Sequence, residues 1–103
     1  MNLSSLTEMD RLIHEPARLV IMTILHTAEQ VDFLFLQRES GLTKGNLSFH
    51  LAKLEEGGYI LIEKTYRGRV PLTLIALSEK GRQAFETYRQ QLAQLMQKMK
   101  SED

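Results

Sequence analysis

A chain of 103 residues with 43% hydrophobic and 25% charged side chains has the length of one domain and the balance of an ordinary globular protein. With no cysteine it holds no disulfide scaffold, which agrees with a reducing cytoplasm; no secretory signal pattern opens it, and no apolar run nears the roughly 20 residues that span a bilayer. Basic and acidic side chains balance at 13 each, so net charge gives no pull toward a polyanion, although residues 44–70 hold five basic against three acidic groups and locate what cationic bias there is.

Leu3, Leu6, Met9 and Ile13 recur at helical spacing and predict a first short helix, ended before Pro16 because proline disfavours helix in the residue preceding it. Pro16 itself fits the first turn of a helix, so a second one is predicted from Pro16 to about Thr27, made apolar by Leu19, Val20 and Ile24. Val31, Phe33, Leu34 and Leu36 begin a third segment, in which Asp32 caps a helix running to Ser40 and Gly41 ends it. Thr43 is the predicted cap of the next helix, which is striped by Leu47, Leu51 and Leu54 and stopped by Gly57-Gly58. Two helices joined by so short a turn form a helix-turn-helix outline. The period then changes: residues 59–66 and 72–77 are rich in β-branched, aliphatic and aromatic side chains and flank Arg67-Gly68-Arg69-Val70-Pro71, which predicts a hairpin with a basic tip. Ser78, followed by Glu79, caps a last helix to about Lys100, roughly 33 Å long at about 1.5 Å per residue. One domain over residues 1–103, mainly α with a small β component, is the expectation.

Helix, helix-turn-helix, two-stranded wing and long terminal helix, in that order, resemble the winged-helix regulators of the MarR and ArsR type. The resemblance rests on EPARLVIMTIL at 15–25, LTKGNLSFHLAKLEEGGYI at 42–60 and LTLIALSEKGRQAF at 72–85. It implies a stand-alone winged helix-turn-helix domain for transcription regulation. The helix over 44–57 would enter the major groove of double-stranded DNA, and the wing over 60–77 would lie along the backbone or minor groove. The residues suit that role on their own chemistry. At about 100° per residue, the leucine stripe puts Gly45, Phe49, Ala52 and Lys53 on the opposite face, flanked by Asn46 and Ser48. A DNA-reading helix needs small residues for close approach, polar groups for base edges and cations for phosphates. Thr43, Lys44, Gly45, Asn46, Ser48, Phe49 and Lys53 are therefore the expected contacts, joined at the wing tip by Arg67, Gly68 and Arg69.

In the terminal helix Phe85, Tyr88, Leu92, Leu95 and Met99 are spaced 3, 4, 3 and 4, a heptad seam that Met96 widens. Such a stripe either folds back on its own domain or pairs with a second copy. Five large apolar residues exceed what so small a core covers, so a homodimer interface over 78–100 is expected, shared with Leu3, Leu6 and Met9 from the segment 1–14. Two-fold symmetry would then present two recognition helices about 34 Å apart and fit an inverted-repeat operator. His14 reads as a helix-end histidine and His50 as one that packs or bonds locally. Neither pairs with the other, with His26 or with a cysteine, so no metal and no cofactor are expected. A small-molecule effector at the dimer interface has no residue signature here, and no nucleophile–base arrangement or phosphate loop points to an enzyme. The rival use of the same scaffold is a protein–protein interaction module anchored by Phe49.

Overall fold

The computed structural model describes residues 3–101, so the extreme ends of the predicted domain, 1–2 and 102–103, lie outside the described residues. A short 3-10 helix, Ser4–Glu8, is followed by α1 (Pro16–Thr27), β1 (Val31–Asp32), α2 (Phe33–Ser40), α3 (Lys44–Glu56), β2 (Ile60–Arg67), β3 (Val70–Leu77) and α4 (Glu79–Ser101). The strands form one antiparallel sheet in the order β1-β3-β2.

Local chemistry sets these boundaries. Glu15, in an extended conformation, accepts hydrogen bonds from the N–H groups of Ala17 (2.9 Å) and Arg18 (3.1 Å), while Pro16 occupies the first turn of α1. The Asp32 carboxylate accepts from Phe35 N–H at 2.8 Å and starts α2, which Gly41 ends at φ +71°. The Thr43 hydroxyl accepts from Asn46 N–H at 3.1 Å and starts α3. At the far end of α3, Gly58 N–H donates to Glu55 O and Tyr59 N–H to Leu54 O, both at 2.9 Å, with Gly58 at φ +81°. This paired arrangement turns the chain sharply into β2.

Three expectations change. The first helix is only the single 3-10 segment, because Asp10 Oδ1 takes the N–H groups of Leu12 (2.9 Å) and Ile13 (3.3 Å) and so offers the backbone an alternative to helix. The sheet has a third strand: Val31 pairs with Ile75 and Asp32 with Leu74. The wing turn is shorter than predicted, since Arg67 pairs with Val70 and Tyr66 with Pro71, leaving Gly68-Arg69 as the loop, with Gly68 at φ +63°. Pro71 is tolerated because the pair next to the closing pair of a two-residue hairpin is a non-hydrogen-bonded one, and β1 reaches only Leu74 and Ile75 of β3.

The core lies between α1, α2, α3 and the inner face of the sheet, with Ile21, Met22, Leu25, Leu36, Leu47, Leu54 and Ile75 all buried. The start of α4 closes it. Ser78 Oγ accepts from Gly81 N–H (3.0 Å) and donates to Gly58 O (2.5 Å), and Ser78 N–H donates to Tyr59 O (3.0 Å), so α4 is hooked onto the turn that follows α3. Phe85 and Tyr88, 3% and 1% exposed, complete this core together with Met9 and Ile13. The helix then runs clear of the body, and Met96 and Met99 are each 57% exposed. The chain accordingly measures 57 × 24 × 21 Å, with a radius of gyration of 15.6 Å against about 13 Å for a compact domain of this length.

Candidate nucleic-acid interface

Burial of Leu47, Leu51 and Leu54 fixes the rotation of α3 and turns Lys44, Gly45, Asn46, Ser48, Phe49, Ala52 and Lys53 to solvent. The Phe49 ring, 56% exposed, is edge-on to the His50 ring at 5.2 Å, and the Lys53 ammonium lies 5.5 Å from its centre. No core residue covers it. A Cβ added at Gly45 would meet nothing within 4 Å, so packing within the chain does not demand glycine there. Thr43 also lies exposed, its hydroxyl engaged in the cap.

One open groove of about 970 Å³ is lined by Lys44, Ser48 and Ala52 of α3, by Phe33 and Leu34 of α2, and by Lys64, Pro71 and Thr73 of the hairpin. Helix α3 and the hairpin thus border the same cleft, and Arg67, Gly68 and Arg69 are exposed at the end of the hairpin. Along α3, Lys44 stands at the start, and Lys53, Glu55 and Glu56 lie toward the end.

Of the groups that hold α3 from behind, the sequence pointed to His50 as one that packs or bonds locally but did not single out its partners Glu15 and Arg18. His50 Nδ1 lies 3.1 Å from an Arg18 terminal nitrogen and 3.3 Å from Glu15 Oε2, joining α3 to the start of α1. Burial works to raise the Glu15 carboxyl, but the Ala17 and Arg18 N–H groups, with His50 and Arg18 beside it, outweigh that and hold its pKa below the usual value. The sequence signal was present: an acidic residue directly before a helix-opening proline is a cap. Behind the C-terminal end of α3, Tyr59 OH donates to Asp10 Oδ2, and burial, followed by the Asp10 hydrogen bond and charge, pushes the Tyr59 pKa up to about 12. Lys64 was also missed, although the alternation of β2 places it beside Ile62 along the groove.

Residues expected at the dimer interface fall into two groups. Met9, Phe85 and Tyr88 are core residues of the single chain and leave no free surface for a partner, which corrects the expectation for those three. Leu92 is half-buried against the same core, Leu3, Leu6 and Leu95 are half-buried, and Met96 and Met99 are exposed. Among the histidines, His14 Nδ1 is 2.7 Å from Tyr88 OH, and His26 stacks on Phe85 at 5.1 Å. No group of three His, Cys, Asp or Glu side chains suited to a metal occurs among the described residues.

Helix-turn-helix, three-stranded sheet with an extended hairpin, and long last helix define a winged-helix fold. Residues 17–96 match the winged helix DNA-binding domain family, and the chain belongs to it. An uncharacterised protein of Methanocaldococcus jannaschii is 37% identical over 86 residues, covering 82% of this chain and 92% of that protein. Among solved structures, a transcriptional regulator homologue from Pyrococcus horikoshii superposes with a TM-score of 0.86 at 25% identity, covering 94% of this chain and 95% of that one. A MarR-family regulator from Silicibacter pomeroyi shares the fold, with a TM-score of 0.69 at 19% identity over 94% of this chain and 65% of its own. By family the chain carries a winged helix DNA-binding domain. No helix among the described residues is long and apolar enough to cross a membrane.

Proposed function

We propose that the protein binds double-stranded DNA sequence-specifically as a homodimer and regulates transcription at an inverted-repeat operator. The segment 44–57 would lie in the major groove, and the wing over 60–77 on the backbone or minor groove. The observation that carries this reading is the shared cleft: Lys44 and Ser48 of α3 and Lys64 and Thr73 of the hairpin line one groove, so a duplex lying on α3 also meets the wing. Asn46 and Ser48 supply hydrogen-bonding groups for base edges, Gly45 permits close approach, and Lys44, Lys53, Arg67 and Arg69 supply phosphate contacts. Dimerisation is supported by the apolar stripe of α4, which is left exposed at Met96 and Met99.

Exposed Phe49 also suits the rival role of a protein-docking anchor, and salt separates the two. Binding through several phosphate contacts weakens steeply as salt rises, whereas an apolar protein contact does not. The deciding experiment is selection of bound duplexes from a random pool by the purified protein. An inverted repeat whose half-sites lie about one helical turn apart is the expected result. Recovery of no common sequence, with salt-insensitive retention, would remove the reading.

A further inference from the structure

Arg18 is fixed on three sides. Its Nε donates to Leu12 O at 2.5 Å, one terminal nitrogen lies 3.5 Å from Glu15 Oε2, and the same nitrogen lies 3.1 Å from His50 Nδ1. Its side chain is 15% exposed and that of His50 16%, so neither floats in solvent. A guanidinium held in this way presents a rigid donor to the back of α3. Glu15 Oε2, an acceptor, stands 3.3 Å from the same histidine nitrogen.

One ring nitrogen cannot serve both neighbours in one protonation state. Arginine only donates, so the Arg18 contact requires an unprotonated Nδ1; carboxylate only accepts, so the Glu15 contact requires Nδ1–H. From the start of α1 the charged groups facing His50 are Glu15 and Arg18. On its own helix the Lys53 ammonium lies over Phe49. His50 directly follows Phe49 and lies one turn beyond Asn46, so any rotation of α3 about this contact re-aims the outward residues.

We infer that Arg18 and Glu15 are positioning residues for the recognition helix, acting through alternative hydrogen bonds to His50 Nδ1, and that sequence discrimination depends on the His50 tautomer whose bare Nδ1 accepts from Arg18. The inference rests on the DNA-binding reading of α3, and its test has one arm that needs no DNA.

In that arm, backbone amide NMR shifts of Asn46, Ser48 and Phe49 are compared between the free wild-type protein and its variants. The three amides should move together in Arg18→Met and stay close to their wild-type positions in His50→Asn, whose amide oxygen still accepts from Arg18. Amides that ignore Arg18→Met overturn the inference whatever the protein binds. Arg18→Lys, which keeps the stem and charge but not the planar fork, replaces Arg18→Met if the latter does not fold.

In the second arm, affinity is measured for the selected duplex and for a random duplex of equal length. Arg18→Met and His50→Leu should each lower the ratio of the two by about tenfold, the scale of one charge-assisted hydrogen bond, and the double variant should lower it no further. Losses that multiply in the double variant, or that fall equally on both duplexes, overturn the inference. A wild-type protein that does not discriminate between the duplexes would defeat the DNA reading instead, and the amide shifts would still decide the link.

Discussion

At Gly81 an added Cβ would come within 2.0 Å of the Tyr59 carbonyl oxygen, a backbone atom that Ser78 N–H holds in place at 3.0 Å. Alanine there gains up to about 1 kcal/mol in helix propensity, yet the clash is with backbone rather than with a yielding side chain. Gly81→Ala should therefore destabilise the fold by about 1–3 kcal/mol, the usual range for overpacking, read as a lower denaturant midpoint; an unchanged midpoint would show that the turn at Tyr59 can move. Phe49→Ala should do the reverse, leaving thermal stability almost unaltered because the ring is 56% exposed, while weakening DNA binding and relaxing a thymine preference at one position of each half-site. A large loss of stability in the free protein would place Phe49 in a core role. The exposure of Phe49 was legible from the leucine stripe, since three buried positions on one helix determine the opposite face. Gly81 was not legible, because the atom it must avoid lies 22 positions earlier in the chain and no local pattern connects the two.

Helix starts were read at Pro16 and from the caps Asp32, Thr43 and Ser78 because each rests on chemistry within three or four residues, and the structure has helices beginning at Pro16 and directly after each of the three caps. Elements fixed by distant partners were not. The two residues of β1 exist as a strand only because Leu74 and Ile75 of β3 lie beside them, and their own sequence signals just the cap at Asp32. Period likewise says that Phe85, Tyr88, Leu92 and Met99 share a face but not whose core they join; the first two pack on their own chain. The hairpin carries a prediction at this scale. Arg67→Ala with Arg69→Ala should weaken binding to all duplexes alike and reduce the salt slope by about 0.9 for each phosphate contact removed. If specific affinity and slope both stay at wild-type values in a salt titration, the wing is outside the footprint.

For the molecule as a whole, the proposed dimer rests on the segment of α4 beyond Leu92. Leu92→Glu would damage the chain's own core as well as an interface, because Leu92 packs on buried residues. Met96→Glu with Met99→Glu is the cleaner variant, both side chains being 57% exposed in the single chain. It should leave the unfolding midpoint of the monomer intact, shift sedimentation toward monomer and lower DNA affinity together; a dimeric profile would put the interface elsewhere. With Phe85 and Tyr88 committed to the chain's own core, the seam left for a partner on α4 runs from Leu92 to Met99, about 12 Å of helix, beside Leu3 and Leu6. In the proposed dimer a contact this short would hold two subunits by mass action rather than permanently. Below its dissociation constant the population of such a dimer would rise with the square of chain concentration, so operator occupancy would track how much of the protein a cell holds. Doubling the copy number would then nearly quadruple the pool able to grip both half-sites, a dose response set by concentration alone.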